Sequence, residues 1–163
     1  LLPAVVLLLP LYLMISRMGL ANSLFGLVIA YSTFCLPFAL WLLRSFIAGI
    51  PIDLEEAAMT DGASRLGAFI DVVVPQALPG IISTALFSFI LSWNEYLYAL
   101  VFINVDDRKT LSPGVLTMLN QNQNVEWALL MAASVLMALP VLVFFSFLQS
   151  HLTRGFGAGA VKG

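Results

Sequence analysis

The sequence predicts an all-α polytopic membrane protein, and three observations carry the prediction. Hydrophobic residues make up 61% of the 163 positions and charged residues only 10%, against about 25% charge in an average soluble domain. Segments 23–43, 81–103 and 127–148 contain a single charge between them, Glu95. Each has the length of about twenty residues that an α-helix needs to cross a hydrocarbon core. None shows the alternation of a barrel strand, and helices satisfy their own backbone groups in lipid. A soluble chain of this size leaves about 30% of its surface in water, too much for a sequence with mean hydropathy +1.00.

Residues 1–15 form a partial first span. They begin with Leu and lack the basic start of a signal peptide, so the chain is expected to be the C-terminal part of a longer one. Pro3 and Pro10 fall in this span, Pro37 in the second and Pro140 in the last. Membrane helices tolerate such prolines as kinks, and a gating hinge is the sharper alternative. Polar connections follow at 16–22, 44–80 and 104–126, with a glycine-rich tail at 153–163. Basic residues divide Arg44, Arg65, Arg154 and Lys162 against Arg17, Arg108 and Lys109. Four against three is too even to orient the chain by the positive-inside rule.

The net charge of −2 gives no reason to expect nucleic acid as a partner. Cys35 is the single cysteine and His151 the single histidine, so neither an internal disulfide nor a two-histidine zinc site can form. G-x-x-x-x-G-K-[ST] is absent, so this sequence offers no phosphate-binding loop.

The 44–80 loop carries helix signals. Asp53 stands where it can cap a first turn, with Glu56 three residues on as in a capping box. Glu55 and Glu56 suit the positive end of the helix dipole. Leu54, Ala57 and Ala58 share a face at i, i+3, i+4, and the alanines permit close approach by another surface. Asp61-Gly62 ends the helix, with Gly62 suited to a left-handed C′ position. Ser64 can cap a second helix to about Val73. Pro75 disfavours helix at Val74, and Pro79-Gly80 marks the entry to the next span.

Glu56-Ala57-Ala58, three residues, Gly62, nine residues, then Val72, Val74 and Pro75 resembles the EAA loop of binding-protein-dependent ABC importer permeases. The spacing agrees at every step, with Val72 for Ile and Val74 for Leu. The stretch 54–63 (LEEAAMTDGA), 92–96 (SWNEY) and 157–163 (GAGAVKG) are similar to the carbohydrate branch, in particular to maltose-type second permease subunits. The resemblance covers essentially the whole chain.

It implies a helical permease bundle in a bacterial or archaeal plasma membrane, with 44–80 cytoplasmic, 104–126 outside and the tail inside. Glu55, Glu56, Ala57, Ala58, Asp61, Gly62, Ala63 and Pro75 would then form the ATPase-coupling element. The implied partners are two ATPase subunits holding ATP and Mg, a second permease, an extracytoplasmic solute-binding protein and membrane lipid, with no cofactor on this chain. Gly159 and Lys162, in the tail, are candidates for ATPase contact. The outer loop, with Asp106-Asp107-Arg108-Lys109 and NQNQN at 120–124, reads as solvated and as a candidate binding-protein contact. Glu56 has two readings, an ion pair with the ATPase groove and the capping box.

Glu95 is the acid at depth in a full span. Such acids face a bundle interior or a water-filled cavity. With Trp93, Asn94 and Tyr98 it offers the mixed aromatic and polar surface that a sugar requires. Packing glue between helices and a position near the outer interface are its other readings. The expected function is the translocation subunit of an ATP-driven carbohydrate importer. Import of glycerol phosphate or a polyol, and a passive channel, are the alternatives. An intramembrane enzyme would need paired catalytic groups, and Glu95 has no histidine or second acid beside it.

Overall fold

The computed structural model describes residues 4–121 and 127–157, with side chains at 5–116 and 127–146. The elements are helices α1 (Ala4–Arg17), α2 (Leu24–Ala48), α3 (Ile52–Thr60), α4 (Arg65–Ala68), α5 (Val74–Trp93), α6 (Leu97–Phe102), α7 (Leu111–Gln121) and α8 (Trp127–Gly157). A π-turn, Phe69–Val73, precedes α5 and a 3-10 turn, Asp106–Arg108, precedes α7. No strand occurs among the described residues. Leu24–Ala48, Arg65–Trp93 and Trp127–Ser146 are long and apolar enough to cross a membrane. Pro10, Pro37, Pro79 and Pro140 all lie inside helices without ending them.

The chain divides into two compact units, residues 1–36 with 89–143, and 37–88 with 144–163. The first unit centres on Ile15, Leu27, Ala30, Tyr98, Ala99, Phe102 and Ile103. Its rings pack edge to face between Tyr12 and Phe102 (centroids 5.4 Å apart) and stack between Tyr98 and Phe102 (5.9 Å). Trp93 Nε1 donates to Met137 O at 3.0 Å, in the turn before Pro140, where the missing proline N–H loosens the α8 ladder.

In the second unit α2 lies against α5. A Cβ at Gly80 would stand 2.3 Å from Phe46 Cγ, so only glycine lets this ring approach the backbone. Phe38 meets Phe87 at 6.0 Å, edge to face. Ser83 and Thr84, both buried, turn their hydroxyls onto the carbonyls of Pro79 and Gly80 at 2.7 Å, which is how a helix hides hydroxyls in an apolar setting.

Four expectations change. The helix does not stop at Val74: that residue is helical (φ −60°, ψ −46°), and the run from Arg65 to Trp93 is unbroken. The π-turn explains it, because Val74 N–H bonds back to Phe69 O. The extra residue in that turn makes room for the Pro75 ring, which would clash in an ordinary turn. The apolar run 81–103 is not one helix but two, separated at Asn94–Tyr96. The 104–126 connection is not simply a solvated loop, since it contains α7. Lastly, α3 starts at Ile52, after Pro51 (φ −59°, ψ 129°), with no side-chain cap. Asp53 therefore lies inside the first turn, and the Asp53–Glu56 capping box does not form.

Candidate functional site

Two places carry the candidate residues, one in each unit. The coupling element belongs to the second unit. Helix α3 has no buried residue; Ile52 is 67% exposed, Leu54 40% and Met59 38%. Glu56, Ala57, Asp61 and Ala63 are exposed, while Glu55 and Ala58 are half-buried. The carboxylate of Glu56 has no partner among the described residues. Glu55 lies 3.8 Å from the guanidinium of Arg65, whose side chain is 88% exposed. A pair so open to water contributes little.

Backbone geometry holds this element instead. Gly62 has φ +96°. Its N–H reaches Met59 O at 3.1 Å, and Ala63 N–H reaches Ala58 O at 3.0 Å. This is the paired bond pattern of a Schellman cap. A Cβ at Gly62 would touch nothing within 4 Å, so the glycine answers to backbone conformation alone. Ser64 accepts from Gly67 N–H at 3.1 Å and caps α4, as its sequence position predicts. Pro75, exposed, is the second residue of α5.

The intramembrane candidates belong to the first unit. After Trp93 the helix breaks. Glu95 N–H turns to Ser92 O at 3.4 Å, so the Leu91 carbonyl loses its usual helical donor. Glu95 Oε1 accepts from Tyr98 N–H at 2.9 Å. Its Oε2 accepts from Ala99 N–H at 3.0 Å and from the Tyr31 hydroxyl at 2.9 Å. The carboxylate thus caps α6 and ties it to α2. Of the four pathway candidates only Asn94 is exposed; Trp93 and Glu95 are half-buried and Tyr98 lies in the core. Asn94 Nδ2 donates to Ile90 O at 3.0 Å.

A third cluster was not singled out by the sequence. Asn22 adopts φ +55°, and its N–H reaches Phe102 O at 3.1 Å. Its Oδ1 accepts from Asn104 N–H at 2.7 Å, and its carbonyl accepts from Arg108 Nη1 at 3.1 Å. Asparagine tolerates the left-handed region, so Asn22 beside the apolar run was the available signal. Close by in sequence, Lys109 pairs with Asp106 at 2.6 Å, and a cleft of about 270 Å³ includes Thr110, Leu111, Leu129 and Ala133 in its lining.

Among the described residues no group of three His, Cys, Asp or Glu stands together to hold a metal. Gly159 and Lys162 lie outside the described residues.

Comparison with known proteins agrees with this architecture. A family model described as "Binding-protein-dependent transport system inner membrane component" matches residues 1–158. A putative ABC transporter permease protein of Streptomyces antibioticus is 44% identical over 98% of this chain and 69% of its own length. The diacetylchitobiose uptake system permease protein of Streptomyces coelicolor is 40% identical over 99% of this chain and 58% of its own. The trehalose/maltose transport system permease protein of Thermococcus litoralis is 35% identical over 94% and 55%. The chain therefore spans little more than half the length of the last two. It belongs to the family of binding-protein-dependent transport system inner membrane components: a multi-pass permease subunit of the plasma membrane, not an enzyme.

Proposed function

We propose that this chain forms part of the translocation pathway of an ATP-driven carbohydrate importer and couples to separate ATPase subunits through α3. The observation that carries the coupling is the character of α3. A nine-residue helix leaves Ile52, Leu54 and Met59 in the open, with no buried residue of its own. Exposed apolar groups beside free carboxylates are what a protein-binding surface presents. The helix is closed by a rigid glycine cap and followed by the unbroken run Arg65–Trp93, so displacement of α3 by a partner has a stiff element through which to act. This is rigid-body coupling between two states.

Two ATPase subunits binding ATP and Mg, a second permease and an extracytoplasmic solute-binding protein complete the proposed assembly. The segment 44–80 is cytoplasmic in it, 104–126 faces outward, and Gly159 and Lys162 approach the ATPases. The carbohydrate reading rests on the relatives, two of which are named for diacetylchitobiose uptake and for trehalose/maltose transport. The α5–α6 break, Trp93 to Tyr98, borders the pathway, and the exposed Asn94 is its residue that faces the solute. Glu56→Lys tests the coupling. The variant should insert in the membrane normally but capture less ATPase subunit on purification and import less sugar. Normal capture with normal uptake removes Glu56 and its face from the coupling surface.

A further inference from the structure

Glu95 and Asn94 are adjacent in sequence and opposite in commitment. Both oxygens of Glu95 are engaged inward, on the N–H groups of Tyr98 and Ala99 and on the Tyr31 hydroxyl. Turning Glu95 toward a solute would strand two backbone donors, both belonging to buried residues of α6, and a tyrosine hydroxyl. Buried donors left without acceptors are costly. Asn94 is exposed, and its one recorded side-chain bond, Nδ2 to Ile90 O, fixes the plane of the amide. That bond leaves Oδ1 and the second amide hydrogen for an outside group. One acceptor and one donor side by side match a hydroxyl, which both donates and accepts. The exposed Leu91, one turn earlier, has lost its usual helical donor at the carbonyl and adds a second acceptor near the break.

We propose, resting on the import reading above, that Asn94 is a solute-contacting, specificity-determining residue for a polyhydroxylated substrate and that Glu95 is a positioning residue that never meets the solute. Glu95 acts through α6. It holds the first turn in place, and with it the break that presents Asn94. The same helix carries Tyr98 and Phe102 into the core and ends beside Asn104, which bonds Asn22.

The test uses the chain assembled with its partner subunits in proteoliposomes at saturating binding protein. Radiolabelled maltose, trehalose and diacetylchitobiose are the probes. Asn94→Ala should change the relative uptake of the three sugars at least five-fold. Glu95→Ala should lower all three rates at least ten-fold and leave their ratios unchanged. Glu95→Gln, which keeps one acceptor oxygen, should recover a substantial part of the rate. Amide hydrogen exchange at 97–102 provides a readout independent of transport. It should accelerate at least ten-fold in Glu95→Ala, less in Glu95→Gln, and not at all in Asn94→Ala. Altered sugar ratios in either Glu95 variant, unaltered ratios in Asn94→Ala, or unchanged exchange in Glu95→Ala overturns the assignment. A wild-type assembly that imports none of the sugars contradicts the import reading instead, and the exchange arm still decides the role of Glu95.

Discussion

The α3–α4 segment and the α5–α6 break handle charge in opposite ways. In the first, Asp53, Glu55, Glu56 and Asp61 lie on a helix or its cap with no buried residue, and the one ion pair, Glu55 with Arg65, spans 3.8 Å. In the second, a single carboxylate takes three hydrogen bonds from its own chain. Where water is present, charge is left free, and shape is set by backbone conformation at Gly62 and by the Ser64 cap. Where water is scarce, charge is consumed in setting shape. Free charge is available to a partner and consumed charge is not, so the first region reads as a surface and the second as a scaffold.

Four substitutions sharpen this comparison. Glu95→Ala should have the largest effect, about 3 kcal/mol on local opening of α6, because two N–H groups and a hydroxyl lose their acceptor together; hydrogen exchange at 97–102 measures it. Gly62→Ala should cost about 1–2 kcal/mol, since φ +96° is unfavourable for any residue with a Cβ. Faster exchange or protease cleavage at 58–64 is the readout. Ser64→Ala should cost about 1 kcal/mol, read at the Gly67 amide that the serine holds. Arg65→Ala should change local stability by less than about 0.5 kcal/mol. If Arg65→Ala destabilised its region as much as Glu95→Ala does, the contrast between the two regions would fail.

The exposed region was the more legible in sequence. Its cues are local: glycine past a helix end and serine before the next helix determine their own backbone within a few residues, and both turned out as the spacing implied. The exception is instructive. Asp53 met the capping pattern, but with Pro51 at the N-cap the helix begins two residues earlier than the pattern required. The spans were legible in existence and class because length and apolarity decide them. Their interruptions were not. Pro75 and Pro79 look like stops, yet the π-turn at Phe69–Val73 carries the helix past the first of them.

The break at Asn94–Tyr96 sits in a run whose composition is that of one span. Its signal was present, since Glu95 lies three and four residues before the N–H groups it caps. Hydropathy alone favours continuity there, and the Tyr31 contact comes from 64 residues away. The Asn22–Asn104–Arg108 cluster likewise joins positions more than 80 apart, which no local pattern reports.

The claim that α3 is the contact surface for an ATPase subunit has a direct measurement. A photo-crosslinking amino acid is placed at Ala57 in the assembled transporter, and at Leu40, 65% exposed within a span, as the control. Irradiation should join the Ala57 probe to an ATPase subunit and the Leu40 probe to none, with the Ala57 adduct weakened by Glu56→Lys. An assembly that imports sugar yet yields no ATPase adduct from Ala57 would contradict the account.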